Sequence, residues 1–375
     1  MLDLIEFLEP VPVAQLNDDE GYTDGQMGKH IHIYQDEMPD IDAADIVLLG
    51  ITESRGNGVG ESSNDAANIV RRHFYRLHCW HPDIAIADIG NARRGAEITD
   101  SYAAVRSIVA ELISRNKTVL LLGGTHDITL AQYGAYASLE KQIEATCIDA
   151  CIDLQTESSI RSQNFLLDML TTEPCYVKHY NHIAFQSYFV HPRMLETMDK
   201  LRFDCYRVGT VTEYIDEMEP VLRNSHLLSF DINAIKYSDA PANKNFPNGL
   251  TGIDACTLTR FAGLSNNISS LGIYGYRPSQ DVGELTASQI AQMIWYFIDG
   301  KYKSRQEASL QHREHFNEYH TLFGEVDTLF LQSKKTRRWW MQMPDKSFVA
   351  CSPNDYLQAK QNDIPERWLR LQERS

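Results

Sequence analysis

Short apolar runs separated by stretches of helical period recur along the middle of this 375-residue chain. The first run covers residues 45–51, and its apolar side chains are consecutive instead of alternating with polar ones. A run without alternation is typical of a strand that is covered on both faces. Similar runs follow at residues 83–88, 118–122, 146–149, 182–186, 203–208, 226–231 and 269–274. The pattern therefore predicts about eight strands in one mainly parallel sheet.

The stretches between these runs have the period of amphipathic helices. One apolar stripe at i, i+3 and i+4 spacing consists of Tyr102, Val105, Ile108, Val109, Leu112 and Ile113. Regular alternation of strands and helices implies right-handed crossovers, with helices on both faces of the sheet. The predicted fold is α/β, a three-layer αβα sandwich, and in such sheets ligands bind beyond the carboxyl ends of the strands.

The pattern changes near both ends of the chain, which predicts three segments. Residues 1–43 are mostly polar and form an N-terminal extension packed on the core, with a possible edge strand at 29–34. Residues 44–300 contain the repeating strand and helix units. Residues 301–375 are charged and aromatic, and we expect arginine to stack on tryptophan at 337–340. This C-terminal extension packs either on the body of the same chain or on a neighbouring subunit.

Charge and cysteine usage restrict the classes of partner and the compartment. The chain has 35 basic and 51 acidic side chains, a formal charge of −16, which opposes binding to nucleic acid or to anionic membranes. Its seven cysteines are scattered, which is typical of a reducing compartment. The N-terminus lacks the order of a signal peptide, and no apolar run approaches the roughly 18 residues of a membrane span. We expect a soluble cytoplasmic protein.

Candidate chemistry lies at three predicted strand ends, which carry the sequences GGTHD at 123–127, DACID at 149–153 and SFDIN at 229–233. In extended backbone, side chains two residues apart share a face, so Asp149, Cys151 and Asp153 point into one space. Convergence of the three strand ends predicts a metal site. The alternative is structural, with aspartates that cap the following helices, a buried thiol and a hydrogen-bonded core histidine at 126.

A glycine-rich segment at residues 56–60 follows the first predicted strand and resembles a phosphate-binding loop. However, the acidic residues Glu61 and Asp65 come next and would repel phosphate, and the lysine of a P-loop is missing. We therefore expect no nucleotide cofactor and interpret the segment as a rim loop over the crevice.

The three motifs, in this order and at these spacings, resemble those of the ureohydrolase superfamily: arginases, agmatinases and formimidoylglutamases. The family patterns are GGDHS, DAHxD and SxDxD, and the likeness covers about residues 44–300, closest to the formimidoylglutamases. The resemblance implies two bridged manganese ions held by side chains, with a bridging hydroxide that attacks a guanidinium or amidine carbon. It also implies assembly into trimers or hexamers and a small-molecule substrate.

Carried onto this sequence, the family's ligand set is complete for one ion only. That set corresponds to His126, Asp149, Asp153 and Asp231. At the second ion's private positions, Cys151 replaces a histidine and Asn233 replaces an aspartate. A thiol favours zinc over manganese, and the lost carboxylate removes a negative charge. The resemblance therefore implies at most one tightly held divalent metal per chain, manganese or zinc.

The substrate positions depart from the family in a similar way. A family glutamate that contacts the guanidinium-type group corresponds to Gly275, whereas Ser162 and Asn164 keep polar side chains that could contact a substrate. Two hypotheses follow. The chain is a divergent relative with weak or absent amidine hydrolysis, or it is an active formimidoylglutamase-like hydrolase that cleaves a C–N bond with an altered metal centre.

Overall fold

The computed structural model describes residues 4–17, 21–58, 65–244, 246–324 and 326–374. Residues 59–64, which include the last two residues of the predicted rim loop at 56–60, lie outside the described residues. The strands are β1 (Leu8–Glu9), β2 (His32–Ile33), β3 (Ile46–Ile51), β4 (Ile86–Ala92), β5 (Thr118–Leu122), β6 (Ile143–Ile148), β7 (Val177–Phe185), β8 (Asp204–Arg207), β9 (Leu227–Asp231), β10 (Ser270–Tyr274), β11 (Phe316–Phe323), β12 (Val326–Ser333), β13 (Trp339–Gln342) and β14 (Phe348–Cys351).

The helices occupy most of the intervals between the strands. They are α1 (Val13–Leu16), α2 (Met27–His30), α3 (Ala66–Arg76), α4 (Ile98–Ser114), α5 (Ile128–Ser138), α6 (Phe165–Thr171), α7 (Pro192–Lys200), α8 (Val208–Glu213), α9 (Met218–Asn224), α10 (Gly252–Leu264), α11 (Leu285–Ser304), α12 (Pro353–Lys360) and α13 (Glu366–Gln372). No described helix is both long enough and apolar enough to span a membrane.

The main sheet has ten strands in the order β1-β4-β3-β5-β10-β9-β6-β7-β8, with β2 paired to β4. All eight predicted runs are strands of this sheet, and they pair in parallel. The two additional strands have two residues each, and β1 is antiparallel to β4. The α/β prediction is confirmed, and the predicted edge strand at 29–34 corresponds to β2.

Two apolar clusters cover the two faces of the sheet, which gives the three layers. One cluster includes Ile108, Val109 and Leu112 from α4 together with side chains of α5 and α6. The other combines side chains of α3, α10 and α11. Strands such as β3 and β5 are buried at every residue because they contribute side chains to both clusters, which explains their consecutive apolar sequence.

The C-terminal segment builds a separate four-stranded antiparallel sheet in the order β11-β12-β13-β14. Its own apolar cluster includes Phe330, Trp339 and Trp368. Within the predicted segment, the Arg338 guanidinium lies 5.8 Å from the centre of the Trp340 ring, and the guanidinium of Arg223 in α9 lies closer, at 4.5 Å. Arg223 also donates a hydrogen bond to the carbonyl oxygen of Trp339 at 2.8 Å. These contacts join the second sheet to α9 of the main body.

The strand order determines where the three motifs meet. Strands β5, β10, β9 and β6 are neighbours, and they point in the same direction. Tyr274 at the end of β10 is in register with Asp231 at the end of β9, and Ile148 of β6 is in register with Phe230. Residues that follow these strands therefore emerge side by side at one edge of the sheet, where parallel α/β folds bind ligands.

Candidate metal centre

His126 lies between the end of β5 and the start of α5, and its ring is buried. Nε2 lies 3.0 Å from the hydroxyl oxygen of Ser229, to which it can donate a hydrogen bond. When Nε2 donates this bond, a neutral imidazole keeps its lone pair on Nδ1. Nδ1 is the nitrogen that faces the other two motifs.

Three carboxylates surround Nδ1 of His126. Its distances are 2.8 Å to Asp153 Oδ2, 3.4 Å to Asp149 Oδ2 and 3.6 Å to Asp231 Oδ2. All four side chains are buried. The ligand atoms of His126, Asp149 and Asp153 lie within 4.8 Å of one another, which makes this the buried group with metal-ligand geometry among the described residues. The structure thus brings together all four residues that the sequence nominated.

Backbone amides orient two of these carboxylates. Oδ1 of Asp149 accepts a hydrogen bond from the N–H of Ala150 at 2.6 Å, and Oδ1 of Asp231 accepts one from the N–H of Asn233 at 2.7 Å. In each case the second oxygen, Oδ2, is the one that faces His126. The local chain therefore fixes the carboxylates before any ligand binds.

The electrostatics of the cluster favour a positive charge at its centre. Burial lowers the pKa of His126, but the nearby carboxylates of Asp149 and Asp153 outweigh it and hold that pKa well above its usual range. Burial raises the pKa of Asp153 and of Asp231, because each carboxylate loses hydration next to other acids. Buried carboxylates in this number require a proton or a cation among them.

The donor set fits a divalent metal ion. Although Asp153 Oδ2 lies 2.8 Å from His126 Nδ1, no described acceptor is aligned for a hydrogen bond with this buried nitrogen. A nitrogen that faces several carboxylate oxygens, but is not aligned for a hydrogen bond with any of them, can coordinate a cation together with them. One imidazole and three carboxylates form a set of ligands that manganese or zinc accepts. The residues present therefore fit one ion.

Cys151 and Asn233, the two positions that differ from the family pattern of ligands, offer poorer metal ligands next to this cluster. Burial, together with Asp149 and Asp153, raises the pKa of the Cys151 thiol, which favours its protonated form over the thiolate that binds metals. The side-chain oxygen of Asn233 accepts a hydrogen bond from the backbone N–H of Lys244 at 2.9 Å. The Asn233 side-chain oxygen, which is the atom that would bind a metal, is thus used to order the loop after β9.

Gly275 occupies a position where a side chain does not fit. Its φ is +81°, and an added Cβ would lie 2.6 Å from Oδ1 of Asp231. Its N–H also donates a hydrogen bond to the carbonyl oxygen of Gly124 at 3.0 Å, which joins the loops after β10 and β5. A glutamate at this position, as the family resemblance implies, would therefore press its Cβ against the Asp231 carboxylate.

The other two substrate-pocket candidates have different surroundings. Ser162 is buried, donates a hydrogen bond to Asn57 Oδ1 at 2.7 Å, and lines a small cavity at the rim of the cluster. Asn164 instead donates a hydrogen bond to the carbonyl oxygen of Ser158 at 2.6 Å, within its own loop. The structure therefore places Ser162 at the cavity and uses the Asn164 amide to order the loop.

Sequence reasoning missed two basic residues at this rim, Lys244 and Arg277, which line the same cavity as Ser162. Both lie in segments that the motif comparison covers, Lys244 in the loop after SFDIN and Arg277 two residues after Gly275. The signal that could have identified these two residues is their positive charge in the loops that carry the motif residues. It was also not foreseen that the imidazole of His182 lies 3.1 Å from the backbone oxygen of Asp149.

Two other features resemble sites but are separate from the cluster. A cavity of about 850 Å³ lies beneath α13 at the β8 edge, and its charged groups largely pair with each other, as Asp204 does with Arg370. The second group with ligand spacing consists of His312, Glu314 and His315, all exposed. Such exposed groups are common without an ion, so the buried cluster remains the candidate centre.

Comparison with known proteins agrees with this geometry. A model of the arginase family matches residues 44–299. The chain belongs to the arginase family. Among curated relatives of this family, formimidoylglutamases from two Staphylococcus epidermidis strains are 31% identical over 116 residues. That alignment spans 29% of this chain and 37% of each relative, so little more than a third of their length is matched.

Solved structures show the arginase fold over a longer stretch. Formimidoylglutamase from Bacillus subtilis has a TM-score of 0.65 at 16% identity and covers 76% of this chain and 93% of its own. Trypanosoma cruzi formiminoglutamase with Mn²⁺ has a TM-score of 0.64 at 15% identity, covering 71% and 99%. Agmatine ureohydrolase of Thermoplasma volcanium has a TM-score of 0.60 at 19% identity, covering 77% and 98%. These similarities show the fold of the chain.

Proposed function

We propose that this chain is a formimidoylglutamase-like member of the arginase family that holds one divalent cation and has weak or absent amidine hydrolysis. The proposed ligands are His126, Asp149, Asp153 and Asp231. The observation that carries the proposal is the placement of His126 Nδ1 within 3.6 Å of three buried carboxylates without an aligned hydrogen bond. No nucleotide cofactor is included in the proposal.

Manganese is the first choice for this ion, and zinc is the second. The ligands offer carboxylate oxygen and imidazole nitrogen, which suit manganese, and one similar solved structure is described as formiminoglutamase with Mn²⁺. Zinc would gain from Cys151 if metal binding removed the thiol proton. When bound, a divalent ion of either kind lowers the pKa of a coordinated water, which is the chemistry that amidine hydrolysis needs.

Weak hydrolysis follows from the groups that this chain lacks. Cys151 and Asn233 stand where the family resemblance places two ligands of a second ion, and the Asn233 oxygen already accepts the Lys244 N–H. Gly275 leaves no acidic side chain to pair with a guanidinium or amidinium group. Losing a single well-placed electrostatic group costs roughly 10²–10³ in rate, and here several are changed together.

The alternative function is an active formimidoylglutamase-like hydrolase that cleaves a C–N bond in a linear amidine with one metal or an altered pair. One observation favours this alternative: all four proposed ligands of the first ion are buried, and the three carboxylates lie within 3.6 Å of His126 Nδ1. A single metal ion can activate a water without a partner ion.

Assays of metal-loaded protein separate the two functions. Arginine, agmatine, guanidinobutyrate and formimidoylglutamate are incubated with the wild type, and released urea or ammonia is measured. We expect turnover indistinguishable from that of the His126→Ala control. Turnover near the ordinary enzymatic range of about 1–10³ s⁻¹, abolished by His126→Ala, would establish the active alternative instead.

The organisation of the whole protein is also part of the proposal. We propose an extension at residues 1–43, a catalytic-type domain at 44–300 and a C-terminal extension at 301–375 that contributes to a homo-oligomer, a trimer or hexamer. The proposed location is the cytoplasm, and the proposed partner is a small molecule instead of nucleic acid or a membrane. Light scattering coupled to size-exclusion chromatography of the full chain and of one ending at residue 300 tests the assembly.

A further inference from the structure

A cavity of about 480 Å³ lies at the amino edge of the main sheet, on the side opposite to the candidate metal centre. Its lining includes the residues that directly precede β5, β6, β9 and β10, which are Lys117, Gln142, His226 and Ser269. The carboxyl ends of these same four strands meet at the candidate metal centre. Because β5 has five residues at about 3.3 Å each, roughly 16 Å separates the two edges, so the cavity is a separate site.

The charge of this amino-edge cavity is opposite in sign to that of the whole chain. Its described lining contains three lysines, Lys117, Lys141 and Lys301, and no aspartate, glutamate or arginine. Hydroxyl and amide side chains supply the other polar groups. The chain as a whole has a formal charge of −16, so basic residues without acidic neighbours are not its general surface character. The concentration of positive charge in a cavity attracts a small anion.

Lys301 is a half-buried lysine without an ion-pair partner among the described residues. It lies in the last turn of α11, where burial and the charge of Arg305 lower the pKa of its ammonium group. The acid whose charge acts on Lys301 is Asp45. That carboxylate is already engaged, because it pairs with Arg305 and accepts a hydrogen bond from the N–H of Ala85 at 2.8 Å. An anion in the cavity would therefore compensate for the hydration that Lys301 loses.

The same backbone motif places Lys117 and Lys141 at the cavity. Helices α4 and α5 are each followed by a residue with positive φ, Asn116 at 57° and Glu140 at 52°. The next residue, Lys117 or Lys141, donates its N–H to a carbonyl oxygen in the last turn of the preceding helix, at 3.0 Å in both cases. Favourable interaction with a helix dipole is confined to the last turn, so it does not account for these two lysines, which lie beyond their helices.

Lys117 and His226 are held in position, and each keeps a hydrogen-bond donor that no described group uses. Nζ of Lys117 donates to the carbonyl oxygens of Asp42 at 2.6 Å and Ala44 at 2.9 Å, which leaves one of its three N–H bonds. Nδ1 of His226 accepts a hydrogen bond from the N–H of Glu144 at 3.2 Å, so the neutral imidazole has its proton on Nε2. Burial lowers the pKa of His226, which keeps the ring neutral near pH 7.

We propose that this cavity binds a small phosphorylated molecule, with Lys117, Lys141 and Lys301 as the charged contacts and His226 as a neutral donor. Lysine ammonium groups bind phosphate oxygens as point charges, and three of them balance the charge of a diphosphate. A carboxylate pairs best with a guanidinium, and the described lining contains none. The volume corresponds to roughly sixteen waters at about 30 Å³ each, which leaves room for an organic group attached to the phosphate.

Calorimetric titration of the full-length, chelator-treated protein with pyrophosphate tests the proposal. We expect saturable binding of one pyrophosphate per chain, weakened about tenfold or more by Lys301→Gln and by Lys141→Gln. Lys303→Gln is the matched control, because Lys303 lies in the same helix turn as Lys301, pairs with Asp299 at 2.8 Å and does not line the cavity. Its pyrophosphate affinity should match that of the wild type. Urea denaturation without ligand verifies that each variant is folded, and Lys141→Gln changes an exposed residue, so it retains the test if Lys301→Gln does not fold.

The proposal is overturned by any of three results. One is the absence of saturable binding at millimolar pyrophosphate. Another is an equal loss of affinity in Lys301→Gln and Lys303→Gln, which would show a general effect of charge. The third is binding that is lost in Lys244→Gln but not in Lys141→Gln, which would place the anion beside the candidate metal centre. Because the titration needs neither a metal nor turnover, its failure leaves the proposed function unaffected.

Discussion

At the scale of single residues, the two nitrogens of His126 have different roles. Nε2 is paired with the Ser229 hydroxyl at 3.0 Å, and Nδ1 faces the carboxylates. Substitution Ser229→Ala should therefore weaken manganese binding by about 10–100-fold, because the imidazole loses the partner that fixes its orientation and tautomer. Thr129→Val is the control, since its hydroxyl contacts Ser229 at 2.6 Å but has no contact with His126. Equal manganese affinity in Ser229→Ala and wild type would contradict this role.

Gly275 gives a second prediction at this scale. Gly275→Ala must adopt φ near +81° and place a Cβ 2.6 Å from Asp231 Oδ1. Gly283→Ala is a matched control with φ of +60° and open space around its Cβ, so it carries only the left-handed backbone cost of about 1–2 kcal/mol. We expect Gly275→Ala to lower the free energy of unfolding by at least about 1 kcal/mol more than the control, measured by urea denaturation. Equal losses would mean that Asp231 moves aside without cost.

The sequence allowed the four clustered residues, His126, Asp149, Asp153 and Asp231, to be predicted as candidate ligands because each belongs to a motif with fixed spacing at a strand end. It did not reveal the backbone angle of Gly275, since a glycine is compatible with many conformations. Nor did it reveal that Lys244 and Arg277 share a cavity with Ser162, because the loops that carry them are far apart along the chain. Such convergence depends on the conformation of the loops, which cannot be predicted from the hydrophobic periodicity of the sequence.

At the scale of elements, helix α13 is attached to the edge of the sheet through Asp204. Its Oδ1 lies 2.7 Å from Arg370, its Oδ2 contacts Arg374, and His179 lies 3.3 Å away. Although burial opposes it, the contacts with His179 and Arg374 hold the pKa of Asp204 far below its usual range. A carboxylate with a lowered folded pKa contributes stability above its unfolded pKa and loses it as pH falls.

We therefore predict that α13 loosens selectively below about pH 4, where an unfolded aspartate becomes protonated. Asp204→Asn should reproduce this at pH 7 and lower the stability of α13 by about 1–3 kcal/mol, since two arginines lose a buried partner but remain partly solvated. Hydrogen exchange of residues 366–372 measures the effect. Glu366→Gln, at an exposed pair with Arg370, should change little, and equal exchange in all three proteins would contradict the prediction.

The burial of each strand explains which strands could be predicted from the sequence. Strands such as β3 and β5 are buried at every residue, because both faces of the sheet are covered, and their mostly apolar sequences show no alternation. Strands β11–β14 were not predicted, because they form a smaller antiparallel sheet with mixed exposure. Between its two buried ends, β11 alternates half-buried and exposed side chains. Strand β1 has two residues, too few to show a period, whereas the alternation at 29–34 did predict the short strand β2.

At the scale of the whole molecule, the strand order brings the candidate ligands of this arginase-family chain together. The order β5-β10-β9-β6 brings residues from 126 to 275 to one edge. Restoring the second set should restore a second ion, so Cys151→His with Asn233→Asp is expected to raise bound manganese from one to two per chain. Each single variant leaves the second set incomplete and should stay at one. An unchanged count in the double variant would argue that these positions do not face the cluster.

The number of ions per chain is the most direct measurement for the central claim. The wild type is stripped with chelator, equilibrated with manganese or zinc, desalted and analysed for metal content. A His312→Ala/His315→Ala background removes the exposed group that could add a weak surface ion. The account predicts one ion per chain, lost in His126→Ala. Two tightly held ions per chain, or one ion that persists in His126→Ala, would contradict it.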